Sequence, residues 1–359
     1  MVEDAVPLGS LARALVIKLR HHGDVLLASP VFSVLKNHAP RIDIDALVYA
    51  DTAPMLTLHP AIAQVHVIER GWKRLGPLAQ ARAELALLAR LRARRYDLIV
   101  HLTEHRRGAW LTRLLRPRYA VAMRRPDGGR LWHGSFTHFY AQPRGTPRHV
   151  VERNLDALRR IGIRPGPDRR LVLVPGADAF ERVNSLLDGH GLQTGRFVHL
   201  HPASRWLYKC WPAEYNAALI DHLHGAGWPV VITAAPDARE RRMIDDILAR
   251  TAAPAIDLAG TLSLKELAAL TGRAKVFVGV DSAPMHMAAA MGTPVVALFG
   301  PTTEIDWAPW QVACTLLASR DHPCRPCGID GCGGGKRSEC LDALPVARVA
   351  EAVQTMLGR

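Results

Sequence analysis

No stretch of about 18 consecutive apolar residues occurs in the chain, which excludes a membrane-spanning helix. Glu3 and Asp4 stand where a secretory leader would carry positive charge ahead of an apolar run, so no such leader is expected. Aromatic residues make up only 6% of the sequence and are not interleaved with basic ones, which argues against a single-stranded nucleic-acid binder. Nucleic acid is therefore not an expected partner. There is no repeat of solenoid period and no low-complexity tract. GxGxxG is also missing, and Gly335-Lys336-Arg337 lacks both the first glycine and the hydroxyl residue of a phosphate loop. Pro323-Cys324-x2-Cys327 resembles the cysteine half of a zinc-deaminase signature, but no His-x-Glu accompanies it, so that reading fails.

What is present is a chain of 359 residues with ordinary globular composition, 48% hydrophobic and 22% charged, long enough for two domains. The net charge of +13 is unevenly placed. Residues 1–170 hold 29 Lys and Arg against 14 Asp and Glu, a net of +15, whereas residues 171–359 hold 17 against 19, a net of −2. A basic half joined to a near-neutral half points to an anionic partner for the first, with an arginine-rich compositional habit as the plainer reading.

Short β-branched runs alternate with longer amphipathic ones, the pattern of parallel sheets with crossover helices. Strands are predicted over 14–19, 44–49, 65–68 and 98–102, with helices over 25–37, 76–94, 107–115 and 149–161. The Gly-, Pro- and Arg-rich stretch 162–178 closes this series. A second series has strands over 197–201, 229–233, 275–280 and 294–299, and helices over 213–225, 238–250, 264–272 and 284–291. The fold class expected is α/β, two Rossmann-like doubly wound domains facing a cleft, over 1–175 and 176–345. A terminal helix over 346–359 would return across a domain face. In such sheets ligands bind beyond the carboxyl ends of strands, so the turns that follow strands carry the functional argument.

The first turn reads Lys18-Leu19-Arg20-His21-His22-Gly23-Asp24-Val25, ahead of a helix with Pro30 near its start. Gly23 permits a tight bend with positive φ, and Asp24 falls at or near an N-cap, where capping is the structural alternative to a catalytic role. The second turn is Asp281-Ser282-Ala283-Pro284-Met285-His286, whose early proline suits a helix start. Free amides, the helix dipole, the Ser282 hydroxyl and small Ala283 would make a phosphate site there. A lone His286 is more often a packed core histidine. Gly300-Pro301-Thr302-Thr303 ends the next strand and adds hydroxyls beside the same edge. A third loop, His201 to Pro212, offers Ser204, Arg205 and Lys209 to a charged group, or else is a surface loop anchored by its tryptophans.

Together these turns resemble the bacterial lipopolysaccharide heptosyltransferases of glycosyltransferase family nine, which have the two-domain GT-B fold. The resemblance spans nearly the whole chain, and the Ser204–Pro212 loop with the cysteine-rich tail is most similar to the third inner-core heptosyltransferase. It implies inverting transfer of heptose from ADP-L-glycero-D-manno-heptose to an inner-core hydroxyl, with Asp24 as general base and Lys209 on the leaving diphosphate. By the same carry-over, Ser204, Arg205, Asp281, Ser282, Ala283, His286, Gly300, Pro301 and Thr302 join Lys209 in binding the donor, and Arg20, His21 and Gly23 face the acceptor. The first domain would take the lipid A–core acceptor and the second the nucleotide sugar. No metal would be needed for catalysis. The enzyme would be cytoplasmic and peripheral at the anionic inner-membrane face, with Arg90, Arg92, Arg94 and Arg95 as contacts or as a solvated helix face. The alternatives are a nucleotide-sugar epimerase of the same architecture and a non-catalytic binding protein.

Four cysteines fall at Cys324-x2-Cys327-x4-Cys332-x7-Cys340. In a reducing compartment this spacing is compatible with a structural four-thiolate zinc site, the alternative being free thiols. Cys210 and Cys314 read as small buried residues.

Overall fold

A computed structural model describes residues 4–141 and 146–358, and divides between Val174 and Pro175 into two compact units. The first unit is built on six parallel strands, β1 (Arg13–Ile17), β2 (Asp43–Tyr49), β3 (Gln64–Ile68), β4 (Leu98–His101), β5 (Tyr119–Met123) and β6 (His138–Tyr140), in the order β3-β2-β1-β4-β5-β6. Its helices are α1 (His22–Leu26), α2 (Ser29–His38), α3 (Pro77–Arg94), α4 (Arg106–Leu115), α5 (Gly129–His133) and α6 (Val150–Arg160). β1 and β4 are buried almost end to end, as strands covered by helices on both faces must be. The strand order reverses between β1 and β4, and that crevice is where an open α/β sheet binds its ligand.

The second unit repeats the plan with β7 (Val198–His201), β8 (Val230–Ile232), β9 (Ile256–Asp257), β10 (Val276–Val280), β11 (Val295–Phe299) and β12 (Cys314–Ala318), all parallel, ordered β12-β11-β10-β7-β8-β9. The order reverses between β7 and β10. Helices α7 (Ala177–Gly189), α8 (Ala213–Gly225), α9 (Ala238–Arg250), α10 (Leu264–Arg273), α11 (Ala283–Met291), α12 (Glu304–Trp307), α13 (Glu339–Asp342) and α14 (Val346–Leu357) complete it. α14 packs on α8 and on β10 and β11, burying Val349, Val353 and Met356 in the second unit's core.

Two local expectations change. The helix predicted over 25–37 is broken into α1 and α2, with Pro30 in the first turn of α2, where its missing N–H costs nothing. Gly23 lies inside α1 with an ordinary negative φ, so it is not the left-handed bend expected of it.

Candidate active site

The first group of interest gathers at the carboxyl end of β1. The helix cap of α1 is His21, whose side chain makes no capping bond, and Asp24 sits within the helix's first turn. The capping reading of Asp24 therefore fails. Its mostly buried carboxylate has Arg20 for company, with Nε 3.6 Å from Oδ1. That contact is longer than a hydrogen bond, and Arg20 is half exposed, so the pair is loosely held.

Near it lies Lys18, the first residue of the same motif. Lys18 is buried, and its ammonium donates to Leu102 O at 3.2 Å and to Asn154 Oδ1 at 2.9 Å. Leu102 follows β4 and Asn154 lies on α6, so one side chain ties β1 to both across the switch point. Burial pulls its pKa down to about 8 from 10.5, with the Asp24 charge opposing the fall. A lysine in a run of apolar strand residues is a readable signal, because an ammonium is not buried without partners.

The second group forms where β7 and β10 end side by side. Lys209, in a short 3-10 turn after β7, donates to Asp281 Oδ2 at 2.6 Å, and both side chains are largely buried. The sequence placed these 72 residues apart, and the strand order makes them neighbours. Ser282 is the cap residue of α11, yet its hydroxyl accepts no amide bond and is buried without a hydrogen-bond partner among the described residues. Thr302 Oγ1, after β11, is in the same condition. Buried hydroxyls left unpaired in a folded chain are costly and mark places where a ligand completes the bonding.

Residues 84–335 match the family described as glycosyltransferase family 9 (heptosyltransferase). The lipopolysaccharide heptosyltransferase 3 of Escherichia coli is 37% identical over 345 residues, 94% of this chain and 97% of that one. The chain belongs to glycosyltransferase family 9. Among solved structures, the family 9 glycosyl transferase of Veillonella parvula superposes with a TM-score of 0.85 at 21% identity, covering 99% of both chains. The E. coli heptosyltransferase WaaC with ADP-2-deoxy-2-fluoro heptose gives 0.71 at 20% identity, covering 96% of this chain and 99% of that one. These two confirm the fold, two Rossmann-like α/β units.

Against that family background, the remaining residues named from sequence fall into place unevenly. Ser204 is buried and its Oγ accepts from Trp206 N at 3.3 Å, closing its own loop while leaving the hydroxyl hydrogen to donate elsewhere. Arg205 is exposed, its guanidinium over the Trp206 ring at 5.5 Å. His286 is buried in α11 with its ring 6.4 Å from Trp307. Ala283 opens α11. Gly300 is required by packing, since a Cβ there would lie 2.6 Å from Leu341 Cδ1, and Pro301 is buried. Arg20 and His21 are exposed on the first unit.

Sequence reasoning missed Arg325. Its nearly buried guanidinium donates to Gly300 O at 2.6 Å and pairs with Glu304 at 3.0 Å, while Gly328 N donates to Pro301 O at 2.9 Å. The cysteine-rich loop thus braces the turn that carries Thr302. Among the described residues no group of three or more His, Cys, Asp or Glu is arranged to hold a metal, and all six cysteines are free thiols. Cys324 is exposed whereas Cys340 is buried, and burial, together with the nearby Cys332, Cys327 and Cys324, pushes the Cys340 thiol up. The four-thiolate expectation is not confirmed by this arrangement. Arg94 also turns inward, its Nε 2.7 Å from the fully buried Asp45 Oδ2, which removes it from the candidate surface contacts.

Proposed function

We propose that the protein transfers a heptose from ADP-L-glycero-D-manno-heptose to a hydroxyl of the lipopolysaccharide inner core, with inversion at the anomeric carbon. The observation that carries the reading is the Lys209–Asp281 pair beside the unpartnered Ser282 hydroxyl at the N-terminus of α11. A cation, a hydroxyl donor and a helix N-terminus at one switch point suit a diphosphate. Two further supports are the 37% identity to a lipopolysaccharide heptosyltransferase 3 and the fold shared with a heptosyltransferase solved with an ADP-heptose analogue.

In this reading the second unit binds the donor and the first the acceptor. Asp24 takes the proton of the acceptor hydroxyl as its oxygen attacks the anomeric carbon from the face opposite the diphosphate. The bond between that carbon and the β-phosphate oxygen breaks, its electron pair leaves with ADP, and Lys209 with the α11 amides and Ser282 stabilises the charge that develops. Asp281 Oδ2 holds Lys209 in position, leaving Oδ1 for a sugar hydroxyl. No step calls for a metal. Partners are the lipid A–core acceptor and an anionic inner-membrane face, with the enzyme cytoplasmic and peripheral.

The test is ADP release from ADP-heptose with and without heptosylated lipid A core, the product weighed by mass spectrometry. Acceptor-dependent release with a gain of one heptose is expected. Donor conversion without acceptor would favour an epimerase instead, and tight ADP binding without turnover would leave a binding protein.

A further inference from the structure

We infer that the outer face of α3 and α4 is a docking surface for a bilayer rich in anionic phospholipid. This deepens the peripheral part of the proposed function and rests on it only for the choice of membrane. Residues 74–118 hold eleven arginines against three acids, Glu84, Asp97 and Glu104. Where the C-terminal ends of α3 and α4 meet the segments before β5 and β6, a cavity of about 770 Å³ opens, walled by Arg92, Trp110, Arg113, Leu114, Arg116 and Phe136. Among the described residues no carboxylate lines it. Arg92 donates to Leu114 O at 3.4 Å and Arg113 to Gly134 O at 3.2 Å. None of the three arginines forms an ion pair among the described residues, so their charge is spent on no internal anion.

The surroundings are apolar as well as cationic. Trp110 is 54% exposed, Leu85 65% and Leu78 87%, all on these two helices. Along α3, Leu78, Arg82, Leu85, Ala89 and Arg92 recur at steps of four and three, one face of the helix, with Leu87 and Leu91 buried on the other. A soluble anion would account for the arginines and leave the exposed leucines and tryptophan without purpose. A bilayer surface accounts for both, with guanidiniums on phosphodiesters, an indole at headgroup depth and leucines just below. The cavity lies at the amino ends of β5 and β6, and Asp24 lies beyond the carboxyl end of β1 in the same parallel sheet. Docking here therefore leaves the Asp24 edge of the first unit open to an acceptor.

The experiment is co-sedimentation of the full chain with vesicles of phosphatidylcholine alone or containing phosphatidylglycerol, with no sugar donor or acceptor present, so its outcome is separate from that of the transfer assay. Wild type should bind only the phosphatidylglycerol vesicles and lose them as salt rises. Arg92→Gln/Arg113→Gln/Arg116→Gln should weaken binding about 100-fold, since each arginine near an anionic leaflet contributes about a factor of five. Unchanged ADP affinity would show that this variant is folded. Trp110→Ser should weaken binding severalfold and remove a blue shift of tryptophan emission on vesicle addition. Equal binding to both vesicles, or wild-type binding by the triple variant, would overturn the inference. Displacement by millimolar glycerol phosphate would overturn it too, marking a soluble-anion site.

Discussion

The turn after β1 and the turn after β10 both present an acid beside a cation at a sheet's switch point, and the two acids are held differently. Asp24 has a half-exposed arginine at 3.6 Å, and Asp281 a largely buried lysine at 2.6 Å. A loosely accompanied carboxylate can exchange its partner for a substrate proton at little cost. A buried, hydrogen-bonded pair is expensive to break from either side, so it works as a fixed mount for charge. In the proposed mechanism an acid beside a cation thus serves as the base in the first unit and mounts the phosphate-binding lysine in the second.

The largest expected effect tests the first acid. Asp24→Ala should lower transfer by at least about 100-fold, the scale of general-base catalysis, with ADP affinity nearly unchanged. Near-normal turnover would remove Asp24 from the chemistry. Lys209→Ala should act on both quantities, weakening ADP binding and slowing transfer by about 30-fold each, because it removes a charge-assisted contact and strands Asp281. Calorimetry finding ADP bound as tightly as by wild type would mean that the pair is only structural. Ser282→Ala should cost about tenfold in ADP affinity, as one hydrogen bond to a charged group does, without lowering thermal stability. A lowered Tm with unchanged ADP affinity would show that the hydroxyl serves the fold.

The smallest effect sharpens the contrast through Lys18. Its folded pKa of about 8 lies below its ordinary 10.5, so between those values the unfolded chain holds a proton that the folded chain has shed. Stability then rises with pH across that window, and below about pH 8 the full cost of burying the ammonium is present. Lys18→Met lacks this dependence, so wild type should gain on the variant between about pH 8 and pH 10 in urea unfolding. A constant difference across that range would contradict a Lys18 pKa lowered by burial.

Much of the architecture was legible because parallel strands buried on both faces read as apolar β-branched runs, as at β1, β2, β10 and β11. What was missed lacked that signal. β6 is only His138–Tyr140, β5 is rich in alanine, and β12 opens on Cys314 and Thr315. At the site, residue types beside strand ends were readable, but partnerships were not. Asp24 reads as a cap in the sequence, but α1 is capped at His21 and starts at His22, and Arg325 carries no sequence signal because its carbonyl partners at Gly300 and Thr302 leave no trace in residue type.

The sequence by itself determined the alternation of strand and helix, the two-unit division, the basic first half and the acids, hydroxyls and lysine at the strand ends, since each depends on local pattern or composition. Only the tertiary structure decided that Lys209 meets Asp281, that Lys18 spans β1, β4 and α6, that Arg94 turns inward to Asp45, and that Arg325 braces the turn after β11. Those outcomes depend on which strands become neighbours and which side chains the core can take in, and contacts between residues far apart in the chain are fixed by the order of the sheet.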